Sequence, residues 1–452
     1  MVPQVQDIQQ ILQAYWPWIP VVYILIRLVI NKYGGGLSSI PGPFLASFTD
    51  LWRLFDVATA IAHETHIKLH RDTGSSLVRI GPRIVSVSDP ALIPKIYGLN
   101  SGFTKTKYYT LYLLPYNGQF TPSLFTTLDE GYHSKYKKPI ANAYAMSTLV
   151  TFEPLIDSTS SLFMKRLDEF AEAGVTFDFG QWLQMYAFDV IGEIIFSKKL
   201  GFLDTKTDVD GIMADIRFKV GYGSIIGQIP TLDKYITKSP LALALIPSHP
   251  VVKFTVARMN ERLAAKADGV DDTKRDFLTR CFEAKSKYPQ LVTDRTIRMY
   301  NLDNVFAGSD TTGISFRAIF YYLMKSPDCL KKVVAELDEA EAAGNLSEFV
   351  TWKESNSLPY LQACIKEALN VFRPDRWLEA SPEQLAAMDR ASLTFGHGAR
   401  SCIGKNISLL ELAKLVPQLL RHYEISFPSP DHEWKIFGGW FVGQDNFLVQ
   451  AK

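Results

Sequence analysis

A single cysteine set among glycines, just ahead of an amphipathic helix, constrains this chain more than any other feature. The run is Phe395-Gly396-His397-Gly398-Ala399-Arg400-Ser401-Cys402-Ile403-Gly404, and it leads into helical apolar periodicity over 406–423. Glycine permits the sharp turns and close approach that a flat bound group requires. Backbone N–H groups and the positive end of the following helix stabilise an anionic sulfur at Cys402. A thiolate so placed is a metal ligand. A structural cysteine beside a turn is the plainer alternative.

The rest of the chain narrows the architecture. With 47% hydrophobic and 21% charged residues, and only 28 Gly and 24 Pro in 452, the chain can bury a real core, which excludes global disorder and collagen-like structure. Its 48 basic and 47 acidic side chains leave a net charge of +1, so no nucleic-acid partner is expected. The four cysteines, at 281, 329, 364 and 402, form no Cys-x-x-Cys pair. They make neither a disulfide framework nor a zinc site, and point to a reducing compartment. Helical spacing dominates, as in Leu155, Ile156, Thr159, Leu162, Phe163, Leu167 and Phe170. Strand signals are few: Leu77-Val78-Arg79-Ile80 and Ile84-Val85-Ser86-Val87 flank Gly81-Pro82 as a hairpin. The fold class is mainly α with a minor β-sheet, with no repeat and no second domain after Pro43. Loops are expected at 107–122 and 229–250, both apolar enough to rim a greasy pocket.

Two stretches lie outside that body or carry other chemistry. From Trp16 to Ile30 the sequence is apolar apart from Arg27. The run is shorter than the roughly 20 residues of a full membrane span, and it lacks the flanks of a cleaved signal. Residues 1–33 are read as a membrane anchor and 34–43 as a Gly/Pro hinge, with a surface or core helix as the alternative. Lys32 after the run and Asp7 before it place the body on the cytoplasmic side. The His63-Glu64-Thr65-His66 and His70 cluster lacks His-Glu-x-x-His spacing, because position 67 is Ile, and reads as a solvated helix face.

A second pattern, Ala307-Gly308-Ser309-Asp310-Thr311-Thr312, interrupts apolar sequence over 299–325. Asp and Thr compete with the helix ladder and Gly loosens it, so the run costs stability unless it is used. An N-cap at Ser309 or Asp310 is the bland reading. Two further runs are His133-Ser134-Lys135-Tyr136-Lys137 and Phe372-Arg373-Pro374-Asp375-Arg376-Trp377. Alone, Lys137 would be a solvated helix charge.

Together these runs resemble, in order and over nearly the whole chain, the cytochrome P450 family. Phe-x-x-Gly-x-Arg-x-Cys-x-Gly is similar to its cysteine-ligand loop, and Ala307–Thr312 resembles the oxygen groove of its long central helix. Ile40-Pro41-Gly42-Pro43 resembles the hinge after its anchor. The wording of 129–147 and 179–202 is most similar to fungal, pisatin demethylase-like members. The resemblance implies that Cys402 is the axial thiolate of a haem b iron, in a loop begun by Phe395. It implies that Arg400 meets one haem propionate and Lys137, on the helix of His133, the other. Thr311 would steady the activated oxygen and Asp310 would help relay protons to it. The activity implied is a monooxygenase inserting one atom of O2 into a hydrophobic small molecule, in fungal secondary metabolism or detoxification. Electrons would come from NADPH through NADPH-cytochrome P450 reductase, at the endoplasmic reticulum membrane, with the body on the cytoplasmic face.

One region departs from the family. Its Glu-x-x-Arg motif reads here Glu367-Ala368-Leu369-Asn370, with Asn370 at the Arg position. Family members place some tens of residues between this motif and the Pro-x-Arg stretch, whereas here only Ala368 to Arg373 separate Glu367 from Pro374. The resemblance therefore implies a missing block between 369 and 370 of the domain 44–452. In the family that block supplies strands, a pocket wall and a helix, so the P450 fold is expected to be incomplete. Glu367 is left to pair with Arg376 in a structural network of two. The chain can close, since seven residues span at most about 23–25 Å. The rival reading is a truncated, catalytically inactive haem-binding or misfolded variant from exon skipping or a faulty gene model. A cofactor-free helical scaffold would have no use for the Cys402 loop.

Overall fold

The computed structural model describes residues 15–116, 119–245, 249–267, 275–368 and 372–452. Helices dominate it, and the one at the centre, Asp294–Lys325, is capped by the Thr293 side chain accepting from Thr296 N–H. The Ala307–Thr312 run lies inside this helix, so neither Ser309 nor Asp310 is an N-cap. The helix packs along Phe179–Phe196, almost all of whose side chains are buried. A helix apolar on every side belongs in an interior. Two glycines let the pair approach closely: a Cβ on Gly308 would lie 2.9 Å from Ile191 Cδ1, and one on Gly313 would lie 3.3 Å from Gln184 Cα. Asp189, buried in the same interior helix, is satisfied by the N–H groups of Gly201, Phe202 and Leu203 at 2.7, 3.2 and 2.8 Å.

The periodic face expected around Leu155 belongs to helix Glu153–Ala173, which buries Ile156, Thr159, Phe163 and Leu167. Leu155, Leu162 and Phe170 pack half-buried against the same core. Each fully buried side chain of this size is worth about 1.5–3 kcal/mol. The hairpin forms as Leu77–Gly81 against Ile84–Val87, and Arg79 N–H reaches back to Pro41 O at 2.7 Å, fixing the Gly/Pro hinge on the hairpin. A small sheet orders Phe177–Asp178, Leu448–Ala451 and Ile425–Ser426. A further hairpin pairs Lys435–Phe437 with Gly443–Asp445.

Several expectations change. The stretches read as loops are partly ordered: 107–122 holds a 3-10 turn at Lys107–Tyr112, and 229–250 holds Pro230–Lys234 and helix Pro240–Leu245. Local hydrogen bonding organises them without the charge periodicity of a surface helix. In the N-terminal run, helix Trp18–Tyr33 has 16 residues, none buried. Among the described residues no helix is long and apolar enough to cross a membrane, so the transmembrane helix is not found there; residues 1–14 lie outside the description. His66 pairs with Asp56 at 3.3 Å and His70 bonds Ser75 O and Ser86 Oγ. Among the described residues no cluster could hold a metal through three His, Cys or carboxylate groups. All four cysteines are free thiols.

Candidate functional site

The cysteine loop is built by its glycines. Gly396 and Gly398 adopt φ of 67° and 66°, a region open mainly to glycine. A Cβ on Gly398 would also sit 1.7 Å from Tyr97 O, so the loop could not lie where it does with any other residue there. Cys402 N–H then closes the loop on Phe395 O at 2.7 Å. Helix Lys405–His422 starts directly afterwards, with Gly404 as its N-cap. The thiol is reachable from solvent but enclosed enough that burial pushes its pKa up. The N–H groups of Gly404 and Lys405 and the charges of Lys405 and Lys137 act against that rise, all favouring the thiolate.

A cationic cluster stands beside the loop. His133 and Lys137 lie on helix Glu130–Lys137, whose N-cap Asp129 accepts Tyr132 N–H at 2.8 Å. Lys137 Nζ reaches Ala399 O at 3.5 Å. His133 is buried, and desolvation with the charges of Arg400 and Lys137 pulls its pKa down to about 4. Arg400 is clasped by Glu130: its Nε lies 3.0 and 2.9 Å from the two carboxylate oxygens. Lys105 is a member that the sequence reading missed. Its Nζ donates to Phe125 O at 2.6 Å and sits over the Tyr109 and Phe125 rings at 4.1 and 4.6 Å. Burial and the nearby Arg400 charge lower its pKa to about 8. Nothing in the linear sequence ties Lys105 to Arg400; only the fold joins them.

On the central helix, Ala307 is exposed and Thr311 half-exposed, while Ser309 and Thr312 are buried. A long interior helix that bares one spot borders open space there. Thr311 Oγ1 donates to Ala307 O at 2.7 Å. Thr312 Oγ1 meets Ser408 Oγ at 3.0 Å, tying this run to the helix behind Cys402. Asp310 accepts from the Gln184 amide, whose oxygen accepts from Arg317 at 2.8 Å. Burial raises the Asp310 pKa, with Arg317 and Arg217 opposing.

The predicted structural pair forms away from this cluster. Arg376 Nε lies 2.9 Å from Glu367, which is fully buried at the end of helix Pro359–Glu367. Two partners were not foreseen: Arg373 N–H donates to Glu367 at 2.9 Å, and the Trp377 indole N–H donates to its other oxygen. Leu369 and Asn370, where the missing block was placed, lie outside the described residues.

These residues fit a haem. Cys402 is a soft donor aimed by backbone N–H groups, and three cations, Lys105, Lys137 and Arg400, are available to the two carboxylates such a group carries. The glycines keep side chains out of the approach, and His397 Nδ1 is a buried atom with no hydrogen-bond partner.

Known proteins bear on the same residues. A family profile described as Cytochrome P450 matches residues 42–369 and 370–451. Cytochrome P450 monooxygenase cicH of Emericella nidulans is 40% identical over 469 aligned residues, covering 92% of this chain and 94% of its own. A cytochrome P450 monooxygenase of Aspergillus terreus is 38% identical, with 90% of this chain and 94% of the relative covered. Cytochrome P450 monooxygenase mpaDE' of Penicillium brevicompactum is 34% identical over 94% of this chain and 56% of its own length. The cicH alignment is longer than this 452-residue chain although only 92% of the chain takes part, so the relative has residues without a counterpart here. The family match breaks between 369 and 370.

Proposed function

Because the chain belongs to the cytochrome P450 family, we propose that it is a haem-thiolate monooxygenase of fungal secondary metabolism or detoxification, acting on a hydrophobic small molecule. The geometry of Cys402 carries this reading: a free thiol reachable from solvent, held open by two left-handed glycines and set just ahead of helix Lys405–His422. Bound there, haem b would supply the iron that activates O2, with the thiolate donor favouring O–O cleavage. Cys402 gives up its proton on ligation. Arg400, Lys105 and Lys137 would hold the carboxylates of the cofactor, and Phe395 anchors the loop through its carbonyl. Thr311, half-exposed, can turn its hydroxyl from Ala307 O toward a ligand in the adjoining space. Asp310 retains a proton more readily than a surface acid does and is steadied by Gln184 and Arg317. Electrons come from NADPH through a reductase. Cys402→Ser should abolish the thiolate-shifted Soret band of the reduced, CO-bound protein; an unchanged band would refute the ligand assignment.

For this exact chain we also propose an internal deletion between Leu369 and Asn370, leaving haem retention and turnover impaired. The split of the family match at that point and the length of the cicH alignment support it. The genomic and transcript sequence across those codons tests it: an in-frame segment there would make this chain a shortened form of a working enzyme, and a continuous reading would make the short form genuine. Helix Trp18–Tyr33, with no buried residue and apolar apart from Arg27, Asn31 and Lys32, supports contact with a membrane, which we propose is that of the endoplasmic reticulum with the body on the cytoplasmic face.

A further inference from the structure

We propose that Glu130 is a placeholder on Arg400, engaging the N–H donors that a haem carboxylate would need, so that cofactor loading must displace it. This rests on the haem-binding reading above and concerns how the site is filled.

Arginine has five N–H donors in a fixed fork, and a carboxylate binds best across two parallel ones. In Arg400 the Nε–H faces both oxygens of Glu130, at 3.0 and 2.9 Å, and Nη2 lies 2.9 Å from Oε1. Nη2 also donates to Asp129 O at 3.4 Å and Nη1 to Leu124 O at 3.3 Å. One N–H of Nη1 is left over. An incoming carboxylate therefore finds a single donor unless Glu130 leaves.

The surroundings point the same way: Lys105 and Lys137 stand near His133 and Lys405 near Cys402, while Glu130 is the acid paired directly with Arg400. Glu130 can leave: its side chain is 40% exposed, against 14% for Arg400, so the acid has a route to water that the guanidinium lacks.

The test uses the haem-free chain, titrated with hemin and followed by Soret absorbance. Glu130→Gln keeps the shape of the side chain and removes its charge. It should bind hemin about five- to tenfold more tightly than the unmodified chain, the loss of one charge-assisted competitor. Glu130→Asp retains charge at the helix N-terminus but loses reach, and should fall between the two, which keeps the test alive should the Gln variant fold poorly. Hemin dimethyl ester, which has no carboxylate to exchange, should bind the unmodified and Gln chains alike. Hemin affinity equal to or weaker than that of the unmodified chain in both variants would overturn the proposal and make Glu130 a support of Arg400. No Soret response with either porphyrin, from these chains and equally from a form with the homologous block inserted after Leu369, would overturn the haem-binding reading, and the placeholder with it.

Discussion

The Cys402 loop and the surroundings of the Glu367 carboxylate belong to the same C-terminal stretch and show two ways of satisfying buried polar groups. In the loop, each requirement is met within a few residues: positive φ by Gly396 and Gly398, closure by Cys402 N–H on Phe395 O, and donors to sulfur by Gly404 and Lys405. At Glu367, the arginine expected one helical turn on is an asparagine, and the carboxylate is met by Arg376, a backbone N–H and an indole N–H from the chain just beyond. A site defined by local rules survives changes elsewhere in the chain. A carboxylate without its expected arginine takes the donors that come within reach.

The largest expected effect follows from that contrast. Glu367→Ala removes the acceptor of the Arg373 N–H and the Trp377 indole N–H and should destabilise the fold by about 2–3 kcal/mol, read from urea denaturation. A loss below about 1 kcal/mol would mean that the replacement partners are no more than a surface arrangement. In a version carrying the homologous block, Thr311→Ala should keep haem but divert electrons to hydrogen peroxide, lowering product per NADPH by about tenfold. Unchanged coupling would remove Thr311 from the chemistry.

A smaller effect tests the cationic side of the loop. His133 is held neutral by burial and by Arg400 and Lys137, with a folded pKa of about 4 against the ordinary value of 6.5. Between those values the unfolded chain takes up the proton and the folded chain does not, so this contribution is present above pH 6.5 and is lost as pH falls toward 4. His133→Gln should flatten the fall of Tm over that window; an unaltered slope would place the acid sensitivity elsewhere. The smallest effect concerns the periphery. Deleting residues 1–33 should shift the protein from the membrane pellet toward the supernatant without altering the CO spectrum, and undiminished pelleting would show that another surface holds the membrane.

The sequence displayed what short-range physics controls. The hairpin about Gly81-Pro82, the buried face of Ile156 and Phe163, the Cys402 loop and the Glu367–Arg376 pair could all be read from spacing or from family likeness. Lys105 and Glu130 could not. Each is an unremarkable charge in the chain and becomes part of the site only because the fold brings 105, 130 and 400 together. The run of the central helix through Asp310 was legible from its apolar flanks and the family likeness rather than from propensity: Gly, Asp and Thr are locally poor helix residues, and packing against Phe179–Phe196 overrides them.

The central claim is that the cysteine site is locally complete while its hold on haem depends on the block we propose is missing after Leu369. The direct measurement is haem per polypeptide for three proteins prepared side by side: the unmodified chain, Asn370→Arg, and a form with the homologous block inserted after Leu369. The account predicts low haem content in the first two and near-stoichiometric haem in the third, since Asn370→Arg restores one charge and none of the apolar surface the block would bury at roughly 25 cal/mol per Å². Full haem in the unmodified chain would contradict it.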